Sequence, residues 1–563
     1  METKPKVTIN TLDRYAQESI SWVALYNRDF CDLTNLNDSS QVPNRSMCLG
    51  LNEVVLDSSF SDTTPNISYM SSTYSNENCK FSGIYIIGQF NSPKDFYTTT
   101  IDFGIDYPKK IIITYYDNNG NEIYSEPIDN IRSNKIYSKA GVKNCKRITM
   151  HFVESWGPYK FAYLQTWLIG SLIIFDGEYL EELSLNEDTD PISRSIAIDT
   201  AFVQIVAKEN EFDLLNPVGA TKFIKPGVSL EAEVGIDGNN LYLGKYYISK
   251  IDYNDAKTIG LHCETILGIL DKEKFFNSLL YNGTSAKDVL TSVLGGEEAE
   301  YHIENSKVYG YIPVKSKREA IKEICFSNGI TVFDNRSDKI VFSEFDYNMD
   351  NLQRITLDKI VDNPRFEFEY KLKEIKMKSY FFLGEQDFKS TLVTNIRESG
   401  IYQLSGAATN LEIIPEDGST GGASIVMPGV LGDSVSCAIV LVSDTNKTYK
   451  IMGNLYYNTN CDRIYDNPII DDSNKQTISV ESSYLINTLI NSNNISNRIF
   501  EYFNSNNIKL ILEYICTGQE TGKWVQVELP NNRSFTGILV HQHINVSQSM
   551  LTVAEIYGKG EYT

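Results

Sequence analysis

The chain has 563 residues, 73 acidic against 51 basic side chains, a net charge of −22 and a hydrophobic fraction of 42%. At about 150 residues per domain this is too long for one core and predicts three or four, and the apolar fraction excludes wholesale disorder. The acidity argues against a phosphate-tracking nucleic-acid surface, which needs clustered Lys and Arg, and it disfavours an anionic membrane face.

Residues 1–180 are rich in Ser, Thr, Asn and Tyr, with strand-like runs at 83–90, 98–104, 110–116, 121–126, 146–153 and 161–175. Runs at that spacing predict a jelly-roll-like β-sandwich. Asp117, Asn119 and Asn121 mimic the start of a calcium loop, but the glycine at loop position six and the distal Glu are missing, so a hairpin turn is expected. Trp22, Trp156, Tyr159, Tyr163 and Trp167 make the domain dense in aromatics. An exposed ring in a turn can stack on the apolar face of a pyranose, so Trp156 and Tyr159, in the turn 155–159, are the candidate carbohydrate-binding residues. Packing inside a β core competes for every such ring. The stretch 176–190 holds seven acids and no base, and reads as a solvated connector closing the first domain.

Within 190–275, Val228, Leu230, Ala232, Val234 and Ile236 alternate with Ser229, Glu231 and Glu233, the period of a half-buried strand. Asp237-Gly238-Asn239-Asn240 then supplies a hairpin turn into a second strand over 241–251. With extended runs at 196–206 and 258–270, a small antiparallel β-barrel is predicted. An α/β insert follows over 276–350: a helix begins near Thr284 or Ser285 and stops at Gly295-Gly296, and Ser316 with Glu319 forms a capping box for a second helix ending at Gly329. Ala320, Ile321, Ile324 and Cys325 face inward, and two strands, 330–333 and 339–345, complete the insert.

Residues 351–475 form a β-rich domain. Phe366, Phe368, Tyr370 and Leu372 alternate with charged residues, and Ile375 and Met377 fall out of phase, which predicts a bulge near Lys373-Glu374. Residues 476–563 are read as a helix from Val480, with Tyr484, Leu485, Ile495, Ile499, Tyr502 and Phe503 inward. Closing barrel strands follow at 508–516, 524–529, 535–543 and 550–557.

The nine cysteines are scattered, with no CxxC pair, and read as free thiols of a protein made in a reducing cytoplasm. The N-terminus lacks an apolar signal core, and the longest apolar run, 167–175, is about half a membrane span, so no membrane insertion is expected. HExxH, GxSxG, a P-loop and a strand-borne GxGxxG are all missing. His541 and His543 alternate on one strand and could share a metal across a threefold axis; two solvent-facing histidines is the reading adopted. No catalytic residue, metal or cofactor is assigned, although two carboxylates about 5–10 Å apart would suffice for a glycosidase.

The segments TSAKDVLTSVLGG (284–296), YIPVKSKREAIKEICFSNGITVFDNRSDKIVF (311–342), IKLILEYI (508–515) and WVQVELPNNRSFTGILVHQHINVSQSMLTVAEIYG (524–558), in that order, resemble tail-tip and baseplate proteins of bacteriophages with Gram-positive hosts. The resemblance covers residues 190–563. It implies a mainly β, multidomain chain: a jelly-roll-like sandwich of the carbohydrate-binding type, then hub-like β-barrels with a small α/β insert. It implies a virion or phage-tail-like bacteriocin component without enzymatic activity, oligomeric in its particle and released by lysis. Its partners would be other tail or baseplate proteins and a host cell-wall glycan. The alternative is a wall polysaccharide-binding or polysaccharide-hydrolysing protein.

Overall fold

The structure, a computed structural model, describes the chain except residues 1–2, 11–18, 29–30, 32, 34–35, 37–45, 49–52, 56–67, 97, 105, 139–141, 171, 207–223, 237, 254–256, 277, 335, 338, 345–351, 370, 427–434, 471–475, 488–489 and 563. Asp237 of the expected hairpin turn, Phe345 and Tyr370 therefore lie outside the described residues. The chain is mainly β and multidomain.

A 13-stranded sheet organises it. In chain order its strands are β1 (Thr3–Asn10), β2 (Leu172–Asp176), β3 (Leu180–Asp188), β4 (Thr200–Val206), β5 (Ser229–Ile236), β6 (Asn239–Tyr253), β7 (Thr258–Glu264), β8 (Gln353–Ile355), β9 (Arg365–Phe368), β10 (Ile508–Ile515), β11 (Trp524–Leu529), β12 (Arg533–Asn545) and β13 (Leu551–Tyr562). Across the sheet the order is β2-β1-β5-β6-β7-β4-β3-β12-β13-β10-β9, with β11 and β8 branching from β12. On β5 the alternation works as expected: Leu230, Ala232 and Val234 are fully buried, while Glu233 turns outward to meet Lys6 of β1 at 2.8 Å.

Two sequence expectations fail here for physical reasons. The first ten residues and 172–176 fall within the expected N-terminal sandwich, but β1 pairs with β2 on one side and β5 on the other. The sandwich is thus threaded between two neighbouring strands of the central sheet. The acidic stretch 176–190 is a strand and not a connector: Leu180, Leu183 and Leu185 enter the core that both ends of the sheet share, while Glu181, Asn186 and Asp188 face solvent. Most of its charge faces solvent, and the one fully buried carboxylate, Glu187, is paired.

The sandwich, residues 20–169, packs a five-stranded sheet (Ile20–Ala24, Tyr85–Phe96, Val142–Glu154, Lys110–Tyr116, Glu122–Asp129) on a three-stranded one (Lys135–Tyr137, Thr99–Asp102, Thr166–Ile169) and a two-stranded one (Tyr69–Tyr74, Phe161–Leu164). Ile86, Ile113, Met150, Phe152 and Trp167 fill the core between them. The hairpin expected at 117–121 is present, with Gly120 at φ +83° and the Asp117 carboxylate accepting the Asn119 and Asn121 amides at 2.8 Å. These bonds hold the exposed Asp117 carboxyl below its usual pKa, the Asn121 side chain contributing most.

In the insert, α1 (Ile266–Lys272), α2 (Ala286–Leu294) and α3 (Lys317–Asn328) surround one core. The run 258–270 breaks at Thr265, because the Asp334 carboxylate accepts the Leu267 amide at 3.2 Å and starts α1 from another element. Gly295 and Gly329 close α2 and α3 at φ +67° and +75°, and Ser316 Oγ accepts the Glu319 amide at 3.2 Å.

A seven-stranded sheet over 372–479 forms the third body, its longest element a ribbon of Leu372–Glu385 with Tyr449–Asp466. The bulge expected near Lys373-Glu374 is a register shift between Leu372 and Glu374. The alternation from Phe366 to Leu372 is not one strand face: Phe366 and Phe368 lie on β9 at 41% and 77% exposure, and Leu372 begins the other sheet. The last helix, α4 (Ser492–Ser505), begins twelve residues later than the expected Val480. Asn491 explains the delay, accepting from the Asn487 amide and donating to the Leu485 carbonyl, a loop that competes with helix.

Among the described residues, eight cysteines are free thiols and no helix is long and apolar enough to cross a membrane.

Candidate functional site

Three places bring functional side chains together. The first is the turn 155–159 of the sandwich. Trp156 is 38% exposed, its Nε1 donates to the Ile131 carbonyl at 2.9 Å, and the Arg132 guanidinium covers its ring at 4.0 Å. One face of the indole is therefore already used in a cation–π contact. Tyr159, at φ +58°, is 62% exposed and meets the exposed Tyr74 edge to face at 5.9 Å. Sequence reasoning put Trp156 and Tyr159 together; the structure turns them to different neighbours and brings in Tyr74. Trp22 and Trp167 are core: their rings pack at 4.8 Å and Trp167 Nε1 donates to Thr99.

The second is a buried polar junction where the sheet's two halves meet. Strand β3 pairs with β12 so that Glu187 lies opposite Gln542, and both side chains are fully buried. Gln542 Nε2 donates to Glu187 at 2.5 Å, Tyr514 OH donates to Gln542 Oε1 at 3.1 Å, and Arg336 from the insert pairs with Glu187 at 3.0 Å. Nearby, burial pushes the Asp334 carboxyl up to about 6 and also raises Asp199, with Asp334 and Glu187 adding to the shift at Asp199. On the outer face of β12, His541 and His543 each take a separate partner from β3, Asp188 at 2.7 Å and Asn186 at 2.6 Å. The Asp188 bond raises the His541 pKa.

The third place is a cleft of about 660 Å³ between α4, the outer face of β3, β12 and β13, and the strand Gln476–Ser479. Asp188, Asp190, Glu369 and Glu555 line it, with Arg194, His541, Tyr502, Phe503 and Tyr557. Sequence reasoning missed this cleft, because its walls come from six separated segments that share no pattern. Burial raises the Tyr502 phenol, and Asp190 adds to the shift, so Tyr502 stays protonated. Among the described residues no cluster of His, Cys, Asp and Glu is arranged to hold a metal ion.

These features define a multidomain, mainly β protein with a polar cleft and open strand edges around a shared sheet. No protein-family model and no curated protein matches the chain. Among solved structures it is similar to the tail protein from Neisseria meningitidis MC58, at 12% identity over 69% of this chain and 94% of that one, TM-score 0.40. It is also similar to the 43 kDa tail protein of prophage MuSo2 from Shewanella oneidensis, at 10% identity over 68% and 95%, TM-score 0.38. A third is prophage tail protein gp18 from Listeria monocytogenes EGD-e, at 10% identity over 69% and 92%, TM-score 0.36.

Proposed function

We propose that the chain is a structural subunit of a phage tail or phage-tail-like bacteriocin particle of a Gram-positive host, hub-like and set at the baseplate or tail tip. It binds other tail proteins, is oligomeric in the particle and performs no turnover. The observation that carries this reading is where apolar surface stays in water. Phe366 and Phe368 lie on β9, the end strand of the central sheet, and Leu383, Phe388 and Tyr457, at 61%, 60% and 48% exposure, lie on or beside the long ribbon. Open strand edges carrying exposed aromatics are templates for pairing with another chain. The order of segments along 190–563 supports the same reading. Labelling the protein in intact particles tests it: signal at the tail tip is expected, and a protein absent from every particle refutes it.

A second reading concerns the sandwich alone, as a jelly-roll-like module for host cell-wall glycan. Exposed Tyr74 and Tyr159 at 5.9 Å favour it, since two rings angled together can hold a pyranose face. A glycan array tests binding. Release of reducing ends from cell walls would support the hydrolase alternative instead.

A further inference from the structure

We propose that the cleft beneath α4 receives an arginine or lysine side chain presented by a segment of a partner protein. The tail reading enters only as the source of that segment. Three of the four cleft carboxylates are matched within the chain: Asp188 by His541 at 2.7 Å, Asp190 by Arg194 at 3.7 Å and Glu555 by Lys509 at 2.8 Å. Glu369 is not: it is exposed, and among the described residues its carboxylate has no ion pair or hydrogen bond.

Tyr502 is a second, independent observation. It lines the cleft at 7% exposure, yet its hydroxyl has no hydrogen-bond partner among the described residues. The ring is buried while the oxygen stays reachable from the cleft, where a ligand's polar group can meet it. An unmatched carboxylate beside an open phenol oxygen calls for N–H donors carrying positive charge, which a guanidinium or an ammonium supplies.

The walls already show that preference. Arg194, which lines the cleft, lies 4.7 Å from the Phe503 ring centroid, and Lys509 lies 5.8 Å from that of the lining Tyr557, so the chain's own cations already sit against its aromatic rings. The volume of about 660 Å³ admits a long side chain with its flanking backbone. The net charge of −22 steers a basic segment toward it.

The test is saturation-transfer NMR on the purified full chain with Ac-Gly-Arg-Gly-NH2, Ac-Gly-Lys-Gly-NH2 and the neutral Ac-Gly-Gln-Gly-NH2. Binding of the cationic peptides alone is expected, weakened about tenfold by Glu369→Gln and by Tyr502→Phe, as loss of a charge-assisted hydrogen bond implies. Both changes are near-isosteric, and an unchanged melting profile shows that the variants fold. Equal binding of all three peptides overturns the proposal, as does cation binding that survives both substitutions. So does binding of N-acetylglucosamine oligomers at this cleft in place of the peptides. Because the assay uses the chain alone, its failure is separate from finding the protein absent from tail particles.

Discussion

Glu187 and Arg336 lie 149 positions apart and meet through a forked contact, Nε to Oε1 at 3.0 Å and Nη2 to Oε2 at 3.4 Å, with side chains 0% and 3% exposed. The pair ties the insert to the strand that joins the two halves of the central sheet. Burial disfavours the Arg336 charge, and Glu187 more than offsets this, so the guanidinium stays protonated.

Replacing only one partner strands a buried charge. Arg336→Met is expected to lower stability by about 3–5 kcal/mol, whereas the double variant Glu187→Leu with Arg336→Met recovers most of that loss. Urea unfolding of the single and double variants checks it; a double variant as unstable as the single one contradicts the account.

Asp334 gives the fold a pH dependence. Its folded pKa is raised to about 6, above the usual carboxylate value, so the folded state holds a proton that the unfolded state releases. Its stabilising contribution is complete below the unfolded value of 3.8 and is lost as pH rises through about 6. Asp334→Asn should flatten this part of the profile between pH 4 and pH 6. Melting temperatures of both proteins across that window measure the effect.

Gly310 sits at φ +97°, where a Cβ would lie 2.0 Å from the Tyr484 carbonyl oxygen. Gly310→Ala must therefore displace the segment whose neighbour Leu485 fills the insert core, and a loss on the order of 3 kcal/mol is expected. A denaturation midpoint equal to that of the native protein contradicts this account.

At the sandwich turn the two candidate rings should behave differently. On the glycan-module reading of the sandwich, Tyr159→Ala is expected to lower affinity about tenfold with little change in stability. Trp156→Ala frees Arg132 and the Ile131 carbonyl and should cost about 1–3 kcal/mol. Glycan titration and thermal melting of each variant separate the two roles.

Local chemistry made several elements legible in the sequence. Ser316 with Glu319 marked the start of α3, Gly295 and Gly329 marked helix ends, and Leu230, Ala232 and Val234 marked the buried face of β5. Each of these signals is complete within a few residues, because caps and pleats are made by neighbours. The cleft was not legible: Glu369, Tyr502 and Glu555 belong to segments with no shared pattern, and a tyrosine on a helix looks the same whether its hydroxyl is bonded or open.

By itself the sequence determined periodicity, turns and caps, and so the mainly β character and the approximate positions of the strands and helices. Only the tertiary structure decided that β1 and β2 flank the inserted sandwich, that the acidic stretch is a core strand, and that Glu187, Gln542 and Arg336 converge. The physical reason is that alternation tells which face of a strand is buried, whereas the partner across each ladder is chosen by chain topology and by burial shared among distant segments.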